Sequence, residues 1–120
     1  MNQVVAFRIA AGLGFLAVAL GAFGAHGLSA TLNRHGTGAI WEKAVLYHFV
    51  HTIVMLFLAR TKPWQMGPWF CFFAGILIFS GSLYVLAGTN TRWLGAVTPF
   101  GGLSFLAGWL WLAIAAKRPE

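Results

Sequence analysis

The chain has 120 residues, of which 59% are hydrophobic and 8% are charged. A soluble domain carries roughly 25% charged residues, and a water-soluble chain this short could not bury so much apolar surface. This composition excludes a soluble globular domain and indicates an all-α integral membrane protein. The formal net charge is +6, but the basic residues stand singly or in pairs between apolar runs. That pattern is typical of the flanks of membrane spans and disfavours a nucleic acid partner.

Long stretches with few or no charged residues predict four transmembrane helices, because about 20 apolar residues are needed to cross the hydrocarbon layer. The predicted helices cover residues 4–26, 41–60, 67–88 and 93–116. Residues 1–120 are expected to form a single domain, a four-transmembrane-helix antiparallel bundle. The first apolar run is longer than a signal-peptide core, so a retained helix is expected. The connection at 27–40 is polar enough for the membrane interface and long enough for a short surface helix.

Charges in the connections predict the orientation of the chain. Four crossings place both termini on one side of the membrane. Five basic residues would lie on that side: Arg8, Arg60, Lys62, Lys117 and Arg118. Three would lie on the other side: Arg34, Lys43 and Arg92. The positive-inside rule therefore predicts that the N- and C-termini are cytoplasmic.

Small residues recur at helical spacing and predict the packing faces, since helices in lipid associate through close backbone contact. The predicted packing glycines are Gly14 and Gly21 on the first helix, Gly81 and Gly88 on the third, and Gly101 and Gly108 on the fourth. Pro99 falls inside the fourth predicted helix, where it cannot donate a hydrogen bond to the Gly95 carbonyl, and it predicts a kink. Four helices enclose little volume, which is compatible with a homo-oligomer.

Histidines are the main ionisable groups in the predicted spans, because Glu42 stands at an entry point and no other acid lies within a span. This argues against a proton-coupled exporter of the small multidrug type. Three interpretations of His26, His48 and His51 stay open: neutral imidazoles that tie helices together, a proton-relay or ligand-binding role, and a metal or haem site. We predict no cofactor, because the His48–His51 spacing alone is a weak metal signal.

The uncommon polar side chains of the spans all fall in the half of the bundle near loops one and three. They are His26, Tyr47, His48, His51, Ser80, Ser82, Tyr84 and Thr98. Hydroxyl groups in helices usually bond to carbonyls of their own helix, but the shared depth favours a polar pocket. We predict that this pocket binds a lipid or a small amphipathic molecule, or docks a membrane partner. The alternative is a small oligomeric transporter or channel. No nucleophile–base–acid trio is visible, so an enzyme is not expected.

Short motifs in all four predicted helices point to one family. They are GAFGAH at 21–26, Tyr47 with His51, FSGSLY at 79–84, WLG at 93–95, TPFGG at 98–102 and GW at 108–109. Together they resemble domain-of-unknown-function family 423, which includes bacterial inner-membrane proteins and human transmembrane protein 256. The resemblance implies four helices and a bacterial inner-membrane or organellar setting, and it implies no activity. His48 stands where the family more often has Gln, which disfavours an obligatory His48–His51 metal pair.

Overall fold

The computed structural model describes residues 1–116, in which every regular element is helical. Four helices are long and apolar enough to cross a membrane: Gln3–Ala25, Gly38–Leu58, Met66–Thr89 and Arg92–Ala115. The all-α, four-transmembrane-helix prediction is therefore confirmed. Lys117, Arg118 and the other residues of the predicted 1–120 domain after residue 116 lie outside the described part of the chain.

Two of the four spans are interrupted by irregular turns. The α-helices are α1 (Gln3–Ala25), α2 (Ser29–His35), α3 (Gly38–Leu58), α4 (Met66–Gly75), α5 (Gly81–Thr89) and α6 (Thr98–Ala115). One turn of π-helix, Ile76–Ser80 (the π turn), joins α4 to α5 within the third span. A short 3-10 helix, Arg92–Ala96 (the 3-10 turn), precedes α6 in the fourth span. Left-handed residues end two of the helices: Gly36 follows α2 with φ +68°, and Asn90 follows α5 with φ +57°.

The spans differ in how much of their surface is covered by protein. α1 packs mainly on α3, α3 packs on the third span, and α6 packs mainly on α4 and the π turn. Accordingly, in an apolar 18-residue stretch of each span, 44% is buried in the third span and 33% in α3, against 17% in each of the first and fourth spans. The second and third spans therefore form the centre of the molecule, and α1 and α6 offer wide apolar faces to the surroundings.

Glycines and aromatic rings interlock where α6 meets the third span. A Cβ atom on Gly101 would lie 2.7 Å from the Phe79 Cα, so two backbones touch there. The Phe72 ring covers Gly108, the Phe105 ring covers Gly75, and the Trp111 ring covers Gly67. On the other side of the molecule, Gly14 and Gly21 face α3 at ordinary contact distances from Thr52 and Val45.

Gly81 and Gly88 do not act as packing glycines, contrary to the prediction. A Cβ atom on either residue would meet nothing within 4 Å. The cause is the π turn, in which the Gly81 N–H bonds to the Ile76 carbonyl five residues earlier. One extra residue in a turn rotates everything that follows by about 100°. Small residues at constant spacing therefore do not stay on one face of the helix across residues 76–80. Gly81 and Gly88 consequently lie outside the contact with the neighbouring helices.

Pro99 does not kink a continuous helix, so that prediction is also wrong. It lies in the first turn of α6, after the 3-10 turn and Val97 have already broken the helical pattern. The first turn of a helix accepts proline because its N–H groups have no intrahelical partner and the fixed φ suits the helix. The irregularity of the fourth span precedes the proline and leaves α6 regular.

Hydrogen bonds fasten the connections at both ends of the molecule. At the amino-terminal end, Gln3 Nε2 donates to the carbonyls of Ala59 and Thr61, at 3.0 and 2.8 Å. At the opposite end, which we call the loop end, Thr37 Oγ1 donates to the Ala87 carbonyl at 2.8 Å, and Arg92 donates to the His35 carbonyl. The loop between α1 and α3, with α2 in it, is thereby tied to the end of α5.

Candidate functional site

His48 and Tyr84 form a buried polar pair between α3 and α5. His48 is 1% exposed, and its Nδ1 lies 2.8 Å from the Tyr84 hydroxyl. The Tyr84 ring also packs edge-on against Trp41, with ring centroids 4.9 Å apart. The backbone of Leu13 on α1 lies beside the imidazole, but His48 Nε2 has no hydrogen-bond partner of good geometry. The pair therefore joins α3 to the third span and leaves one buried ring nitrogen unpaired.

His51 has a hydrogen-bond partner at each ring nitrogen. Nδ1 lies 2.7 Å from the Tyr47 carbonyl, and Nε2 lies 3.0 Å from the indole nitrogen of Trp109 on α6. An indole N–H can only donate, so Nε2 accepts and Nδ1 carries the proton, which makes the imidazole neutral. The ring also stacks on Phe105 at 3.7 Å. His51 thus ties α3 to α6.

The hydroxyl groups also connect neighbouring spans. Ser80 is fully buried, and its Oγ donates to the Ala44 carbonyl on α3 at 2.8 Å. Ser82 Oγ and Thr98 Oγ1 lie 2.6 Å apart, which joins α5 to the start of α6. In lipid a polar group without a partner is costly, so such groups pair across helix interfaces. These side chains use their hydrogen-bonding capacity inside the protein.

The predicted polar residues are therefore divided among separate helix contacts and do not line one shared pocket. Tyr47 is 39% exposed, with its ring 4.7 Å from the ring of Phe79. His26 ends α1 and is exposed, and its carbonyl accepts a hydrogen bond from Ser29. Within residues 1–116, no group of three or more His, Cys, Asp or Glu residues is placed to hold a metal ion.

Two open grooves flank α3, and they differ in chemistry. The α1–α3 groove has a volume of about 570 Å³ and is lined by Gly21, Gly24, Ala25, Ser29, Leu32, Asn33, Gly38, Trp41, Glu42, Val45, Leu46 and Phe49. The α3–α6 groove has about 580 Å³ and is lined by Tyr47, His51, Phe79, Pro99, Gly102, Leu103, Phe105, Leu106 and Trp109. Small-molecule sites typically measure about 300–1,000 Å³. Both grooves are of that size, but only the first carries a carboxylate.

The α1–α3 groove is shaped by one glycine and one tryptophan. The indole of Trp41 lies against Gly24, where a Cβ atom would overlap the ring, and its Nε1 donates to the Leu20 carbonyl at 2.9 Å. Helix α2 closes the loop end of the groove with Ser29 and Asn33. The short helix in this loop was predicted from the sequence, but a groove formed by Gly24, Trp41, Glu42 and Asn33 was not. The only available signal was GAFGAH at 21–26, whose second glycine makes room for the indole.

Comparison with known proteins gives a consistent result. Residues 20–102 match the family model described as "Protein of unknown function (DUF423)". The UPF0382 inner membrane protein YgdD of Escherichia coli K12 is 45% identical over 110 residues, which cover 88% of this chain and 83% of that protein. The UPF0382 membrane protein YwdK of Bacillus subtilis 168 is 42% identical over 115 residues, covering 86% and 88%. A UPF0382 membrane protein of Staphylococcus epidermidis ATCC 12228 is 46% identical over 108 residues, covering 86% and 87%. No solved structure matches the chain. The matched region contains the whole α1–α3 groove.

Proposed function

Since the chain belongs to the DUF423 family of small membrane proteins, we propose that it is a non-enzymatic membrane protein that binds an amphipathic molecule in the α1–α3 groove. The ligand class is a membrane lipid or a small molecule with a polar head and a hydrocarbon tail. The observation that carries this proposal is the division of the groove into a polar mouth and an apolar wall.

The polar and apolar parts of the groove follow one another along α3. Glu42 lies in the first turns of α3, close to Ser29 and Asn33 of α2 at the mouth. Val45, Leu46 and Phe49 continue the groove toward the centre of the membrane. Seven residues separate Glu42 from Phe49, which is about 10 Å along a helix. A head group at the mouth would therefore place a hydrocarbon chain beside the apolar side chains.

The mouth favours a head group that donates hydrogen bonds. An ionised carboxylate only accepts them, and Glu42 is the single carboxylate side chain within residues 1–116. Asn33 and Ser29 add groups that both donate and accept. An amine or a hydroxyl-bearing head group satisfies this set.

Native mass spectrometry of the protein in mild detergent tests this function. The unaltered protein is expected to carry a bound amphiphile, and Leu46→Trp is expected to lose it because the indole fills the groove. Leu106→Trp is the matched control: Leu46 is 59% exposed in one groove and Leu106 is 66% exposed in the other. Unaltered protein without any bound amphiphile, or equal loss in both variants, would contradict the proposal.

The second function predicted from the sequence, a small oligomeric transporter or channel, has less support. His48, Thr52 and Ser80 at the centre of the molecule are at most 1% exposed. This burial does not favour a water-filled path through one copy, so transport would need a path between copies. A homo-oligomer and cytoplasmic termini stay predictions of the sequence.

A further inference from the structure

We infer that the amino-terminal end of the molecule holds a second binding site, which takes the phosphate of an anionic membrane phospholipid. Its ligands are Arg60 and Lys62, with Arg8 beside them. The site lies at the opposite end of the molecule from Glu42 and does not depend on the α1–α3 groove.

The site is a small pocket between the start of α1 and the end of α3. It has a volume of about 200 Å³ and is lined by Gln3, Val4, Ala59, Arg60 and Lys62. That volume is about six or seven times the roughly 30 Å³ that one water molecule occupies in the liquid. It is therefore large enough for a phosphate group and the ester oxygens next to it.

Arg8 lies on the same face of α1 as the pocket. Val4 lines the pocket, and Arg8 follows it by four residues, so the two side chains are neighbours on the helix surface. Side chains of a helix lean toward its N-terminus, and Arg8 is exposed. Arg8 does not line the pocket, but it brings a third positive charge to the surface one helical turn away.

The loop that carries Arg60 and Lys62 is held in place by hydrogen bonds. Gln3 Nε2 donates to the carbonyls on either side of Arg60, those of Ala59 and Thr61. Thr61 Oγ1 donates to the Leu58 carbonyl at 2.7 Å, which fixes the turn after α3. The Arg60 guanidinium carbon lies 4.3 Å above the centre of the Phe7 ring.

Stacking on Phe7 leaves the Arg60 guanidinium able to bind an anion. A guanidinium that lies over an aromatic ring still directs its N–H donors outward in its own plane. The pocket thus combines positive charge with one guanidinium, that of Arg60, whose position is already restricted by its contact with Phe7.

No carboxylate within residues 1–116 neutralises this group of cations. Glu42 is the single acidic side chain there, and it precedes Arg60 by 18 residues of helix α3 and its end, or about 27 Å. This distance is several times the screening length of about 8 Å at physiological ionic strength. Within residues 1–116, the charges of Arg8, Arg60 and Lys62 therefore have no acidic side chain near them.

The apolar surroundings favour a lipid phosphate over a free one. Val4 is 57% exposed and Val5 is 42% exposed beside the pocket, on a helix that is apolar enough to span the membrane. A phospholipid can place its phosphate in the pocket and its acyl chains along this face of α1. Free phosphate would gain only the interaction with the charges.

Lipid titration followed by native mass spectrometry tests the site, using phosphatidylglycerol and phosphatidylcholine with identical acyl chains. Unaltered protein is expected to prefer phosphatidylglycerol. The Arg60→Gln/Lys62→Gln double variant is expected to weaken phosphatidylglycerol binding by about fivefold per charge, or about 30-fold. The Arg34→Gln/Lys43→Gln control removes two charges at the loop end and is expected to keep the preference.

Several outcomes would overturn the assignment. They are equal binding of the two lipids by unaltered protein, equal loss in the two double variants, and displacement of phosphatidylglycerol by inorganic phosphate at the same molar concentration. Leu46→Trp alters only the α1–α3 groove and is expected to keep the preference for phosphatidylglycerol, so failure at one site is distinguishable from failure at the other. A weaker preference at high salt in unaltered protein is a further expected result, because the attraction is electrostatic.

Discussion

Replacing Gly101 by Ala tests the packing of the third and fourth spans at a single atom. The added Cβ would lie 2.7 Å from the Phe79 Cα, and the two nearest atoms that it meets, the Phe79 N and Cα, belong to the backbone. A backbone cannot rotate away as a flexible side chain does, so the two spans must separate locally. Phe79 lies within the π turn, so the contact tests that irregular turn as well.

The size of the effect follows from comparison with Gly81→Ala. At Gly81 an added Cβ would meet nothing within 4 Å. Both substitutions gain about 0.5–1 kcal/mol because alanine favours a helix more than glycine does. Overpacking typically costs about 1–3 kcal/mol. The gain is common to both variants, so their free energies of unfolding are expected to differ by about 1–3 kcal/mol, with Gly101→Ala the less stable.

Reversible unfolding in mixed detergent micelles, followed by circular dichroism, measures this difference. Gly81→Ala is expected to be as stable as the unaltered protein or slightly more stable. If Gly101→Ala proved as stable as Gly81→Ala, the close approach of α6 to the π turn would be refuted.

Two further predictions concern the buried histidines. Trp109→Phe removes the N–H that donates to His51 Nε2 and is expected to lower the free energy of unfolding by about 1 kcal/mol, which is within the range for such bonds in membranes. Trp93→Phe, at a residue that is 69% exposed, serves as the control, and an equal effect at both positions would contradict the role of His51. His48→Leu leaves the partly buried Tyr84 hydroxyl without its partner and is expected to cost about 1 kcal/mol. His48→Gln can still bond to that hydroxyl, and the same unfolding assay would refute this pairing if Gln were no better than Leu.

The sequence was sufficient for the spans because their signal is compositional. Apolar stretches near 20 residues can be satisfied in lipid only as helices, and small errors in their ends do not change that result. The observed Gly38–Leu58 begins three residues before the predicted 41–60. Thr37 precedes the first residue of the helix, and its hydroxyl donates a hydrogen bond to the Ala87 carbonyl. This bond to α5 holds the chain where α3 begins.

The packing faces and the site could not be read from the sequence in the same way. In the third span, regular spacing of glycines no longer marks one helix face after the π turn. Gly67 and Gly75 meet aromatic rings, whereas Gly81 and Gly88 do not. The sequence predicts a shared depth for the polar residues, but depth does not say which helices they join. His51 faces α6, whereas His48 faces the third span. Contacts between spans, such as that of Gly24 with Trp41, depend on helix rotation and are not encoded in spacing.

The binding of an amphiphile in the α1–α3 groove is tested most directly by photo-cross-linking in membranes. A phospholipid with an amine head group and a diazirine in its acyl chain would be activated in vesicles that contain the protein, and the labelled residues would be mapped by mass spectrometry. We predict that labels concentrate on Val45, Leu46 and Phe49, and that they decrease in Leu46→Trp. Labels spread evenly over the exposed apolar residues, or concentrated on Leu103 and Leu106 in the α3–α6 groove, would contradict the proposed function.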